Sequence, residues 1–216
     1  MSFSLIVFDL DGTLVDSRKD LADAANELLA LSGAAPLADE AIAGMIGEGA
    51  PALVSRAFGA AGIAAPPDAL ARFLDIYDAR LLARTQPYPG TAEALAALSS
   101  RAALAVLTNK PLGATRRILA GLDFAKHFAP RRVLGGDGPL PRKPSPDGLQ
   151  WLMDDAGVAS SDTLMVGDSV IDWRTAHNAG AHACLVRYGF GFAGLPPGCL
   201  TAGDHVIDAP AALLDL

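Results

Sequence analysis

The chain has 216 residues, room for one large domain or two unequal ones. Lys and Arg number 17 against 24 Asp and Glu, and the net charge of −7 excludes the basic face that a nucleic-acid binder needs. Apolar residues make up 51%, enough for a full core, yet no uninterrupted apolar run approaches the ~20 residues that cross a bilayer. Residues 1–10 carry no basic leader, and two cysteines, Cys184 and Cys199, are too few for a disulfide scaffold. The expectation is a cytoplasmic globular protein, monomeric or homodimeric, that engages neither nucleic acid nor membrane.

Residues 5–8, Leu-Ile-Val-Phe, are a short continuous apolar run, the pattern of a strand buried on both faces. The run ends at Asp9-Leu10-Asp11-Gly12-Thr13, where a glycine permits a tight turn. Ser17 and Asp20 have the spacing of a helix-capping box, with Asp standing for Glu. Leu21, Ala24, Ala25, Leu28 and Leu29 then repeat as one buried helix face. Further helices are expected near 40–46, 51–58 and 67–83, the last with Leu70, Phe73, Leu74, Tyr77 and Leu81 on one stripe. No strand is expected between Val15 and Gln86. Pro87-Tyr88-Pro89-Gly90 breaks the helical block. Beyond it, strands at 103–108, 132–134, 163–167, 183–186 and 205–207 alternate with helices at 91–99, 111–120, 146–156 and 172–180, and a helical turn ends the chain. This alternation predicts right-handed crossovers and a mostly parallel sheet. The fold class is therefore α/β, with residues 1–15 and 88–216 as one α/β domain and residues 16–87 as an all-helical insertion after its first strand.

Ligands of an open parallel sheet bind beyond the carboxyl ends of its strands. Asp9, Asp11, Thr108 and Asp168 fall there, and Lys143 lies in the loop before a helix that Ser145 caps and Pro146 opens. Asp9 and Asp11, two residues apart on an extended chain, tend to share a face. Two carboxylates ~5 Å apart repel by roughly 3 kcal/mol at an effective dielectric of ~20, and Asp168 adds to this. A divalent cation outweighs that repulsion, and hard oxygen ligands with open positions suit Mg²⁺. Asp-x-Asp-Gly alone is as readily a polar turn; Asp168 and Asp172 tip the reading toward metal. Asp172, in a first helical turn, either favours the helix dipole or supports the metal and the lysine from behind. Thr108, ahead of a helix N-terminus, makes an anion cradle, and Asn109 joins it or caps the helix. The chemistry these residues suit is attack by the Asp9 carboxylate on a phosphoryl group, with Asp11 as acid and then base. Thr108, Lys143 and the metal would hold the charge on the transferring oxygens.

In this order, the residues resemble the haloacid dehalogenase superfamily of phosphotransferases. The resemblance rests on Asp9-Leu10-Asp11-Gly12-Thr13-Leu14-Val15-Asp16-Ser17, Leu107-Thr108-Asn109-Lys110, Lys143-Pro144-Ser145-Pro146 and Gly167-Asp168-Ser169-Val170-Ile171-Asp172. It spans essentially the whole chain. It implies a Rossmann-like core (1–15 and 88–216) under a helical cap (16–87), Asp9 as nucleophile and Asp11 as acid/base. It also implies Mg²⁺ on Asp9, the Asp11 carbonyl and Asp168, with phosphate held by Gly12, Thr108, Asn109 and Lys143. Within the superfamily the chain is similar to the phosphoglycolate phosphatase group, through Ile46-Gly47-Glu48-Gly49-Ala50, Tyr88-Pro89-Gly90, Thr108-Asn109-Lys110-Pro111 and Gly135-Gly136-Asp137. The substrate this implies is a small phosphorylated metabolite, 2-phosphoglycolate first, with sugar phosphates, nucleotides or pyrophosphate as alternatives. Trp173 departs from the smaller aliphatic residue expected there. The cap offers few cations for a carboxylate; Arg56 is the main candidate, though a solvated helix position accounts for it better.

Three competing readings use the same residues. Gly189-Phe190-Gly191-Phe192-Ala193-Gly194 spells a dinucleotide fingerprint after a strand, but Leu195-Pro196-Pro197-Gly198 cannot continue as the required helix, which leaves a glycine-rich surface loop. A phospho-acceptor module of the receiver type gathers similar residues but needs no helical insertion. A sugar-phosphate mutase keeps the fold and would accumulate an isomer in place of free phosphate. The four histidines and two cysteines lack zinc spacing, and Trp151 and Trp173 read as core.

Overall fold

A computed structural model describes residues 3–216. Met1 and Ser2, part of the leaderless stretch read from the sequence, lie outside the described residues. Strands β1 (Leu5–Phe8), β4 (Ala103–Leu107), β5 (Val133–Leu134), β6 (Thr163–Gly167), β7 (His182–Val186) and β8 (His205–Ile207) form one sheet in the order β5-β4-β1-β6-β7-β8. Every pairing in it is parallel. All six strands were anticipated within about a residue at each end.

Both faces of the sheet are covered, so its strands alternate between two apolar layers. Ile6, Phe8, Val106, Val166 and Cys184 pack into the larger core beneath α5 (Thr91–Leu98) and α6 (Leu112–Gly121), a core that continues into the apolar face of α1 (Arg18–Leu31). Leu5, Val7, Ala105 and Met165 face the other way, onto Leu149, Leu152 and Met153 of α7 (Asp147–Ala156) and Ala176 of α8 (Val170–Ala179). The chain runs from β1 outward through β4 and β5, then crosses back to β6 on the opposite side of β1. The strand order therefore reverses at β1, the switch point at which parallel sheets bind ligands. Phe8 is in register with Val106 and with Val166, so the residues that follow all three strands emerge on one edge.

Between β1 and β4 lie α1, α2 (Asp39–Ala43), α3 (Ala50–Ala60) and α4 (Ala69–Arg80). The expected stripe on α4 buries Phe73 and Tyr77, which stack with ring centres 6.0 Å apart. Where the sequence showed no strand, two short ones pair antiparallel: β2 (Val15–Asp16) with β3 (Gln86–Pro87). Two residues are too few to show an alternation. The ribbon is marked only by where the chain leaves the core and where it returns.

The capping box expected at Ser17 and Asp20 does not form. Ser17 does begin α1, but its hydroxyl donates to Asp11 Oδ1 at 2.6 Å. The buried Asp20 carboxylate accepts from Arg84 N (3.0 Å), Thr85 N (2.7 Å) and Thr85 Oγ1 (2.7 Å). A long-range set of donors outcompetes a local cap, and it ties the first helix of the insertion to the returning chain. Neither tryptophan is core. Trp151 is exposed, and Trp173 is half-buried, its Nε1 donating to Asp204 Oδ2 at 3.0 Å and its ring 4.3 Å from His177. Both cysteines are free. Among the described residues no helix is long and apolar enough to cross a membrane.

Candidate active site

Strand register brings the predicted residues together. Asp9 follows β1, Thr108 follows β4 and Asp168 follows β6, and all three are buried. Lys143 reaches them from the loop before α7 and is 5% exposed, low enough that its ammonium must be paired to stay charged. Its Nζ lies 2.6 Å from Asp172 Oδ1 and 2.8 Å from Asp9 Oδ1. Burial opposes that charge, but the Asp172 and Asp9 carboxylates outweigh it and hold the lysine pKa above its usual range. Asp172 makes two sets of contacts. Its Oδ2 accepts from Ser169 N (3.1 Å) and Ser169 Oγ (2.7 Å), which closes a capping box at the start of α8, while Oδ1 fixes Lys143.

Asp9, Asp168 and Asp172 each offer a carboxylate oxygen within 4.8 Å of the other two. Burial lifts the Asp9 pKa to about 6, Lys143 opposing and Asp172 and Asp11 adding to the rise. Asp168 is lifted well above its ordinary value by burial, then by Asp172 and Asp9. One ammonium against three carboxylates leaves uncompensated negative charge. Moreover, Asp9 Oδ1 is buried and accepts no directed hydrogen bond; its approach to Lys143 is an ion contact only. This hard-oxygen, electron-rich donor set fits a Mg²⁺-sized dication.

Asp11 stands in a different environment. Lys110 Nζ reaches both its oxygens, at 2.9 and 2.8 Å, and Ser17 Oγ takes Oδ1. Lys110 was read from the sequence only as part of a motif. Nothing in its spacing shows that its ammonium folds back onto Asp11 and sits 4.5 Å from the centre of the Tyr77 ring. Asn109 caps no helix: its Nδ2 donates to Gly47 O (3.0 Å) and Lys143 O (3.1 Å), and Asp137 Oδ1 caps α6 instead, at Leu112 N (2.7 Å). The side-chain donor of Asn109 is thus spent on carbonyls. Ser145 Oγ accepts from Asp147 N at 3.4 Å, one residue into α7.

Two glycine positions are set by Asp168. Gly12 has φ +87°, and a Cβ there would fall 2.1 Å from Asp168 Oδ2. A Cβ at Gly189 would fall 2.2 Å from Asp168 Cβ, and Gly191 N donates to Asp168 Oδ2 at 2.7 Å. The loop expected to be bland surface thus buttresses the acid cluster. Its glycines serve close approach to a carboxylate, not a dinucleotide.

A cavity of about 360 Å³ opens beside Asp9, Asp11 and Thr108. Lys110, Asn109, Ala114 and Arg117 line its core side, and Ile46, Leu53, Phe73, Leu74 and Tyr77 its helical side. Arg56 is not part of it: the side chain is exposed and pairs with Glu48.

Buried carboxylates and a lysine at the switch point of a parallel sheet define an enzyme that handles a charged, oxygen-rich group. Comparison with known proteins narrows this. The sequence pattern of the haloacid dehalogenase-like hydrolases matches residues 6–186. A phosphoglycolate phosphatase of Rhodospirillum rubrum is 44% identical over 194 residues, covering 86% of this chain and 80% of that protein. One from Caulobacter vibrioides is 39% identical, covering 86% and 79%. The crystal structure of a predicted phosphoglycolate phosphatase from Haemophilus somnus superposes with a TM-score of 0.90 at 31% identity, covering 100% of this chain and 98% of that one. The chain belongs to the haloacid dehalogenase-like hydrolase family, and within it the chain is a phosphatase, a hydrolase of phosphoric monoesters.

Proposed function

We propose that the protein is a Mg²⁺-dependent phosphatase that hydrolyses 2-phosphoglycolate through an aspartyl-phosphate on Asp9. The observation that carries the chemistry is the buried Asp9 carboxylate, which lines the cavity, has no directed hydrogen bond at Oδ1 and lies 2.8 Å from Lys143 Nζ. The relatives named above support the choice of ester.

Asp9, the Asp11 carbonyl and Asp168 would hold the metal. When bound, Mg²⁺ supplies positive charge to the phosphate oxygens and to the acid cluster. An Asp9 oxygen attacks phosphorus and the ester P–O bond breaks, while Asp11 gives its proton to the departing oxygen so that an alcohol leaves. Asp11, now a carboxylate, takes a proton from water, whose oxygen attacks phosphorus and frees orthophosphate and Asp9. Thr108 Oγ1, the N–H groups near Gly12 and Asn109, and Lys143 hold the phosphoryl oxygens. Asp172 keeps Lys143 in place. In this reading residues 16–87 act as a cap over the 1–15 and 88–216 core, excluding water during the first transfer.

A phosphate-release panel with 2-phosphoglycolate, sugar phosphates, nucleoside monophosphates and pyrophosphate tests the proposal. The expected result is the highest kcat/KM on 2-phosphoglycolate. A different ester at the head of the series would replace the substrate and leave the mechanism standing.

A further inference from the structure

If the ester is 2-phosphoglycolate, something must bind the carboxylate of its leaving group, and Arg56 is turned away from the cavity. Each cation that does line the cavity already has a partner. Lys110 is committed to Asp11, and Arg117 Nη1 lies 2.5 Å from Asp78 Oδ2. The helical wall itself is carbon or acid, with one exception: Tyr77 is its single side-chain donor among the described residues. The Tyr77 residue is 4% exposed, and its hydroxyl, close to the Lys110 ammonium, has no hydrogen-bond acceptor. A buried hydroxyl left unpaired costs stability, about 1–3 kcal/mol, unless something pairs with it. Its neighbourhood says what that would be. Lys110 Nζ lies 2.8 Å from Asp11 Oδ2 and 4.5 Å from the Tyr77 ring centre, so Tyr77 and Asp11 flank the same ammonium.

We propose that Tyr77 is the specificity-determining residue for the leaving group, its hydroxyl donating a hydrogen bond to the substrate carboxylate beside the Lys110 charge. The assignment rests on the function proposed above, because it takes Asp11 to contact the ester oxygen. In a two-carbon leaving group the carboxylate is separated from that oxygen by one methylene, which puts it next to Asp11 and hence within the Lys110–Tyr77 corner. Esters without an acceptor at that distance leave the hydroxyl unpaired in the complex. The hydroxyl lacks an acceptor before binding too, so such esters forgo a hydrogen bond that 2-phosphoglycolate gains, and that difference is the selectivity.

The test is Tyr77→Phe, which keeps the stacking on Phe73 and the ring beneath Lys110. Steady-state kinetics on 2-phosphoglycolate and on ethyl phosphate, a two-carbon ester without the carboxylate, are compared with thermal unfolding of the free enzyme. The expected result is a KM for 2-phosphoglycolate raised about tenfold or more, with ethyl phosphate changed less than twofold and the melting temperature unchanged or higher. A merely structural role for the hydroxyl would lower the melting temperature and affect both esters alike. Either an equal change on both esters or no change on 2-phosphoglycolate overturns the Tyr77 assignment. Should the unsubstituted enzyme itself fail to prefer 2-phosphoglycolate over ethyl phosphate, the substrate reading falls first and takes the carboxylate contact with it.

Discussion

The two walls of the cavity are built on opposite terms. The sheet-edge wall carries Asp9, Asp11, Thr108 and Lys110, delivered by the ends of β1 and β4 and the loops after them, with Lys143, Asp168 and Asp172 buried beside Asp9. The helical wall sets Ile46, Leu53, Phe73 and Leu74 around a single hydroxyl. Burying charge is costly, and the sheet edge bears that cost where rigid strands fix the partners. Apolar side chains on helices tolerate exchange at constant volume, so one wall can vary while the other cannot. The difference teaches that the buried charged groups of this cavity sit on the sheet edge and its exchangeable apolar side chains on the helices.

That division can be broken at several points. The largest effect belongs to Asp9→Asn, expected to lower kcat by about 10⁴ or more while the circular dichroism spectrum is kept, because it removes the nucleophile and also a like charge. Residual turnover above that floor would mean that Asp9 is not the attacking group. Next, chelation should abolish phosphate release and added Mg²⁺ restore it. Mg²⁺ should also raise the melting temperature, and much less in Asp168→Asn. Lys143→Met, which strands Asp9 and Asp172 without their shared cation, should cost about 3–5 kcal/mol in urea unfolding of the metal-free protein. An effect under 1 kcal/mol would show that the pair contributes little to the fold. The smallest expectation is Arg56→Ala, with kcat/KM for 2-phosphoglycolate within twofold of the parent; a larger loss would give the outer helical face a part in selection.

The sequence made some parts of this architecture plain and hid others for physical reasons. β1, β6 and β8 were readable to the residue because short apolar runs bounded by polar turns have few alternatives. The gathering of Asp9, Thr108, Lys143 and Asp168 was readable as well, since parallel strands deliver their carboxyl ends to one edge whatever lies between them. What stayed hidden were pairings made across the chain. Ser17 and Asp20 have the N-cap and N3 spacing of a capping box, yet one bonds back to Asp11 and the other to Thr85. Lys110 stands directly after Thr108-Asn109 but acts 99 positions away, on Asp11. The 189–194 glycines matched a nucleotide fingerprint because both that motif and this loop need a backbone without side chains. The prolines after Gly194 already deny a pyrophosphate its helix, and the structure puts the carboxylate of Asp168 against Gly189 and Gly191 instead.

The two-residue pairing of Val15-Asp16 with Gln86-Pro87 has an evolutionary corollary. Exit and re-entry lie shoulder to shoulder, so a segment of nearly any length spliced between them meets the same closure geometry, and doubling its length adds only ~0.6 kcal/mol of chain entropy. The parallel sheet thereby meets the inserted helices through one narrow neck, and the length of chain beyond that neck is nearly free to change.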